Sequence, residues 1–313
     1  MHDAGDAAAG PTTLRIFDLP PLFDSGGTVP RVWAAAAGGS GWRRCGVASS
    51  VDSGDSHATV GEIGGASPMG VSSTALESGC DNRWDRRSFE VMLGSDAMLL
   101  ESRSEAAVLA EANLAAIGTE IVQFAQAELI APMKYRLSNL LRGRRGSIAA
   151  AHSPGTRFVL LDPLRLLAID LPGELLGRAL RFRAVGAGDA ATPAVGLTLG
   201  GNALRPLAPV FLRVVQADGD ARFTWRRRSR SGFGWLDGTD APLGELREAY
   251  RVTLSSGGTI RREASLNAAF WDYPATARAA DDIAPGMTVT LNVAQIGDTT
   301  GPGTLASAAF ILN

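Results

Sequence analysis

Lysine is all but missing from this chain: Lys134 is the single lysine among 30 cationic side chains. Arginine carries the positive charge instead, and its planar fork suits desolvated, bidentate pairing at subunit contacts better than an ammonium does. A GC-rich coding sequence accounts for most of that bias. Histidine occurs only as His2, His57 and His152, so a zinc site or a Ser/His/Asp triad must use one of these three. Cys45 and Cys80 are the only cysteines and stand in no CxxC or Cys/His pairing, which excludes a thiol-based metal or redox motif. Two free buried thiols is the expected state, one disulfide the alternative. No uncharged apolar run is long enough for a helical membrane span. The opening MHDAGDAAAG carries two aspartates and no basic apolar stretch, unlike a secretory signal. A net charge of −2 and a pI of 6.0 give no electrostatic bias towards nucleic acid.

What the chain has in quantity is turn residues, with 37 glycines and 16 prolines in 313 residues. Short apolar segments such as TTLRIFDLP, VPRVWAAAAG, MGVSSTAL and RSFEVML lie between them, the rhythm of antiparallel β structure. The reading is a mainly β protein of several small sandwich or barrel domains, with one or two short helices. Residues 1–92 are expected to form a β-sandwich-like domain, 93–177 a small hub-type β-barrel, and 178–313 a fibronectin type III-like domain. Ser104 is a candidate N-cap for a helix over SEAAVLAEANL. Ile121–Phe124 and Tyr135–Ser138 should pair across the turn at Ala131 and Pro132. In the last domain Trp225 lies on a strand facing the core, and AYRVTL supplies a second alternating strand. No internal repeat is visible in the sequence.

The densest cluster of chemistry is YRLSNLLRGRRGS, where Arg136, Arg142, Arg144 and Arg145 surround two glycines. Guanidinium groups beside glycine N–H groups can form a nest for an anion. No GxxxxGK[ST] is present, however, and no base or metal accompanies the arginines. The better reading is a turn whose arginines contact a partner domain or subunit, with His152 fixing the chain's return by hydrogen bonding. His57 stands among Asp52, Asp55 and Ser56 in a polar, solvated loop. The pairs Glu101/Glu105, Glu245/Glu248 and Asp281/Asp282 are candidates for glycosidase carboxylates, although solvated faces or salt bridges explain them better. Phe233, Trp235, Trp271 and Tyr273 form a candidate receptor or interface loop. Neither a cofactor nor a metal nor a catalytic residue is expected.

Several blocks together resemble the megatron-like tail hub, or host-specificity, protein of gene transfer agents and related siphophages. They are FDLPPL at 17–22, the AAAAGG and GW pair at 34–42, ESRSEAAVLAEANLAAIGTEIVQF at 101–124, YRLSNLLRGRRG at 135–146, RFVLLD at 157–162, and later WRRRSR, DAPLGE, EAYRV and AQIG. The resemblance implies the C-terminal portion of a baseplate protein in the virion tail tip, assembled in the host cytoplasm. It further implies a homotrimer that contacts other tail hub and distal tail proteins and a host cell-surface receptor or glycan, without direct nucleic-acid recognition. Family members are longer, with a glycoside hydrolase-like barrel before this region, so their lytic activity is not carried over. A carbohydrate-binding or envelope-degrading module is the alternative.

Overall fold

The computed structural model describes residues 10–22, 27–80, 83–187, 189, 193–231 and 241–313. They fall into two compact units, one ending at Gly200 and one running from Gly201 to Asn313, the segment Pro20–Thr28 counting with the second. The protein is mainly β, with two short helices among the described residues.

The first unit opens as a sandwich. Strands β1 (Thr13–Phe17), β2 (Arg31–Ala37), β3 (Cys45–Ser50) and β4 (Ala58–Ile63) come in sequence. The chain then leaves the sandwich for roughly a hundred residues and builds a different body. That body holds β5 (Met69–Ser72), the two-residue β6 (Trp84–Asp85), β7 (Phe89–Leu93), α1 (Glu105–Leu109), β8 (Leu114–Ile117), β9 (Glu120–Ala131), β10 (Lys134–Leu141) and β11 (Arg157–Leu160). Its order is β10-β7-β5-β11-β8-β9, and β9 pairs back onto β10, so the sheet closes into a six-stranded antiparallel barrel with β6 added beside β10. Closure leaves no free edge. Phe89, Phe124, Leu137 and Phe158 fill its buried core, Phe89 and Phe158 meeting edge to face at 6.4 Å.

After the barrel the chain returns to the sandwich through β12 (Leu166–Asp170), β13 (Ala179–Gly186) and β14 (Val195–Thr198). The two sheets are β1-β2-β12 and β14-β13-β3-β4. The alternation is clearest in ALRFRAVG, whose Leu180, Phe182 and Ala184 enter a core shared with Val32, Ala34, Val47 and Leu199, while β2 is buried along almost its whole length. The barrel's two ends are tied at the sandwich: Ser67 N donates to Ala36 O at 3.0 Å, Ser67 Oγ to Arg165 O at 3.0 Å, and Leu160 N to Pro68 O at 2.9 Å.

The second unit is a sandwich of β15 (Val210–Ala217), β16 (Asp220–Arg226), β17 (Tyr250–Ser256), β18 (Thr259–Leu266), β19 (Phe270–Tyr273), α2 (Ala275–Ala280), β20 (Met287–Gly297), the two-residue β21 (Gly301–Pro302) and β22 (Ala306–Leu312). Its sheets are β15-β16-β19 and β18-β17-β20, with β22 and β21 added on β20. Counting strands of each sandwich in chain order, both place the first, second and fifth in one sheet and the fourth, third, sixth and seventh in the other. This is the fibronectin type III-like arrangement, present twice. Trp225 meets Tyr250 edge to face at 5.2 Å inside the second core, and Phe223 stacks on Trp271 at 5.8 Å.

These pairings move the boundaries expected from sequence. Strands β5, β6 and β7 up to Met92, assigned above to a first sandwich, belong to the barrel, and β13 and β14, assigned to the last domain, complete the first sandwich. The physical reason is that β13 pairs with β3 across the whole barrel, and local alternation carries no record of which distant strand is the partner.

Candidate functional site

The arginine-rich turn is the most organised polar site in the barrel, and it faces inward. At the end of β10, Arg142 is fully buried, with 0 % of its surface exposed. Its Nε and Nη2 donate to Glu120 Oε1 and Oε2 at 2.7 and 2.8 Å, the bidentate fork expected of a guanidinium and a carboxylate. The remaining donors go to Glu77 O at 2.9 Å and Ala150 O at 2.6 Å. Gly143 follows in the left-handed region (φ 58°), a conformation that costs glycine little, and this turn aims its N–H at Glu120 Oε1 at 2.9 Å. His152 Nε2 lies 2.7 Å from Glu120 Oε2, while its backbone forms a bridge with Leu76.

Glu120 thus sits at the centre of a complete shell of donors. Burial on its own pushes this carboxyl upward, but His152, Arg142 and the Gly143 N–H together outweigh it and hold the group below the usual carboxylate range. The anion nest read from sequence is real chemistry, but the anion is the chain's own Glu120. Arg144 Nε donates to Gln123 Oε1 at 2.6 Å, and Gln123 in turn donates to Val108 O at 2.6 Å and Ala112 O at 2.8 Å, tying the turn to α1. Arg145, also buried, pairs with Glu111. Only Arg136 of the expected partner-contact set is on the surface, between Glu90 and Glu128 at 3.3 Å each on neighbouring strands.

The structure therefore corrects the expectation for Arg142, Arg144 and Arg145. Each is satisfied within the barrel, Arg142 by Glu120 at the start of β9, Arg144 by Gln123 further along β9, and Arg145 by Glu111 after α1. Trp271 and Tyr273 are corrected likewise. They alternate inward on β19 and are core side chains of the second sandwich. Phe233 and Trp235 lie outside the described residues. The acidic pairs are engaged separately: Glu245 with Arg230 at 2.8 Å, Glu248 with Tyr250 Oη at 2.7 Å, and Asp281 with Arg262 and Tyr273. Among the described residues no group of three or more His, Cys, Asp or Glu side chains is placed to hold a metal ion. Both cysteines are free, Cys45 buried as expected and Cys80 exposed, against expectation.

One surface escaped the sequence reading. On the outer face of β15-β16-β19, Arg213, Thr224 and Phe270 stand in one row across the three strands. Phe211 and Arg226 flank that row, and the group lines an open cavity of about 580 Å³. The signal was present as Phe211 beside the alternating LRVVQ, where an aromatic falls out of phase with the buried positions.

The protein-family model described as "Rcc01698-like, C-terminal" matches residues 67–159. The match begins two residues before β5 and ends at the penultimate residue of β11, so it coincides with the inserted barrel. It is consistent with a gene-transfer-agent protein. No curated protein matches the chain. Among solved structures, the rat CD45 extracellular region, domains d3-d4, aligns at 10% identity and TM-score 0.26 over 39% of this chain and 56% of that one. A cytokine receptor complex aligns at 8% identity and TM-score 0.29 over 96% of each chain. The chicken CNTN1 FN1-FN3 domains align at 9% and 0.24 over 97% of this chain and 99% of that one. Similarity this low adds nothing to the strand order described above.

Proposed function

We propose that the chain is a structural, non-catalytic component of a phage or gene-transfer-agent tail tip, in the baseplate hub or central fibre region. The coincidence of the family match with the barrel supports this reading most directly. In it the barrel is the working body, and the sandwich into which it is inserted holds it at both ends. The chain assembles as a homotrimer with other hub and distal tail proteins, closes the tail channel, and takes part in host attachment and genome delivery. Closed cyclic symmetry suits that place. The internal locking of the arginine turn by Glu120 fits a part that must keep its shape under load.

A tagged chain expressed in producing cells tests the proposal. Purified particles should carry the tag at the tail end, and a cryo-EM map should show three copies there. Tag confined to the soluble fraction, or found on the head, overturns it. The purified chain should also leave peptidoglycan intact, and release of soluble fragments would contradict the non-catalytic part.

A further inference from the structure

From the outer face of β15-β16-β19 we infer a binding site for an acidic glycan, with Phe211 and Phe270 as stacking surfaces and Arg213 and Arg226 as the carboxylate-recognising groups. The inference stands on the second unit's own geometry and is independent of the tail-tip reading. Four observations carry it.

Phe211 is 69% exposed and Phe270 is 43% exposed, on a face that also carries Arg213, Thr224, Arg226 and the exposed Val215. Phe211 also has a φ of +55°, a left-handed conformation that is strained for a bulky side chain. The strain comes from a bulge: Val210 pairs with Arg226 and Arg213 with Thr224, so β15 carries one residue more than β16. A bulge re-aims a side chain, and here the re-aimed residue is an aromatic ring turned to solvent. Guarding a sheet edge would need the bulge but not the ring.

The charges point to the occupant. Arg222 is already used, forked onto Asp272 at 2.5 and 2.8 Å with its guanidinium 5.0 Å from the centre of the Phe270 ring. The Arg213 and Arg226 side chains have no ion pair or hydrogen bond among the described residues, and both residues line the cavity beside the rings. Asp272 is neutralised by Arg222, which leaves the cavity rim cationic. The cavity, about 580 Å³, has the volume of a small-ligand site. Apolar ring faces together with forked donors for planar anions match a sugar whose ring carries a carboxylate. A polynucleotide would need a cationic track continuing along its backbone, whereas Asp220 interrupts this face at the start of β16.

Titration of the full chain with a short oligogalacturonate, followed by calorimetry, tests the site. Comparison ligands are the same oligomer methyl-esterified and a single-stranded oligonucleotide. Binding should weaken at least about tenfold in Arg213→Gln/Arg226→Gln, since each charge-assisted bond contributes appreciably. Phe211→Gly should lose binding to a similar degree while its thermal midpoint stays level or rises, because glycine takes the left-handed conformation without strain. The idea fails if oligogalacturonate does not bind, if the esterified oligomer binds equally well, if the oligonucleotide binds more tightly, or if either variant binds like the wild type.

Discussion

Glu120 shows how a single side chain can dominate a small barrel. With Arg142 it forms a buried pair in which every nearby donor is used, and removing one member leaves the other charged, desolvated and unpaired. Breaking such a pair costs about 3–5 kcal/mol. Glu120→Gln should therefore lower the barrel's stability by that amount at neutral pH, read by urea unfolding. The pH dependence has a definite sign. A carboxyl held below its ordinary value stabilises the fold fully above the ordinary range and loses that contribution as pH falls through its folded value. The gap between wild type and Glu120→Gln should narrow on acidification, and a constant gap would mean that the carboxylate's charge is not what the shell recognises. Arg142→Ala, the substitution that a partner-contact reading of the turn would choose, is for the same reason a folding mutation. Cysteine gives a second residue-scale prediction. Burial, with smaller contributions from Asp189 and Glu62, pushes the Cys45 thiol up to about 11, whereas Cys80 is exposed. A thiol reagent at neutral pH should modify Cys80 in the native protein and reach Cys45 only on unfolding. Rapid native labelling of both would contradict the burial of β3.

Among the elements, β5 is the tightest. Gly70 lies between β7 and β11, paired with Leu93 and Phe158, and an added Cβ would overlap the Met92 carbonyl oxygen. The obstacle is backbone, which cannot rotate away. Gly70→Ala should cost at least the upper end of the about 1–3 kcal/mol typical of overpacking, seen as a lowered thermal midpoint. A midpoint equal to wild type would show that β5 and β7 can separate locally. Much of the element structure was legible beforehand. Ser104 does cap a helix, its Oγ accepting from Ala107 N at 3.2 Å, although Glu111 and Asn113 at positive φ end it early and redirect the chain into β8. The hairpin of β9 and β10 turns where Ala131 and Pro132 indicated, and Trp225 faces its core. Burial of the arginine turn was not legible. Arg142, Arg144 and Arg145 read as surface because their partners Glu120, Gln123 and Glu111 lie more than twenty residues away in sequence, and pairing across elements leaves no local mark. Trp271 and Tyr273 were misread for a related reason. FWDY alternates as a strand, but which face is the core depends on β16 beside it.

At the scale of the molecule, the two sandwiches share one strand order while differing most in the connection from the fourth strand to the fifth. In the second, β18 passes to β19 through the three residues 267–269, whereas in the first β4 reaches β12 only after the barrel. The barrel thus occupies one loop of a fold that does not need it. Loop-closure entropy rises only slowly with length, by about 0.6 kcal/mol per doubling, so an inserted body costs its host little if its ends meet. Here they do meet: Leu160 N donates to Pro68 O at 2.9 Å, and Arg165 Nη1 to Ala66 O at 2.8 Å. The barrel also has its own core, its own closed sheet and its own buried ion pair. Excised residues 66–162 should therefore fold alone, giving a β-type circular dichroism spectrum, a cooperative thermal transition and a dispersed amide NMR spectrum. The complementary deletion, with β4 joined to β12 by a short Gly-Ser turn, should leave the first sandwich folded in the same assays. A random-coil spectrum from the excised barrel would show that β5 and β11 depend on the sandwich for their register. The boundaries of the family match would then mark a unit of descent without marking a unit of folding.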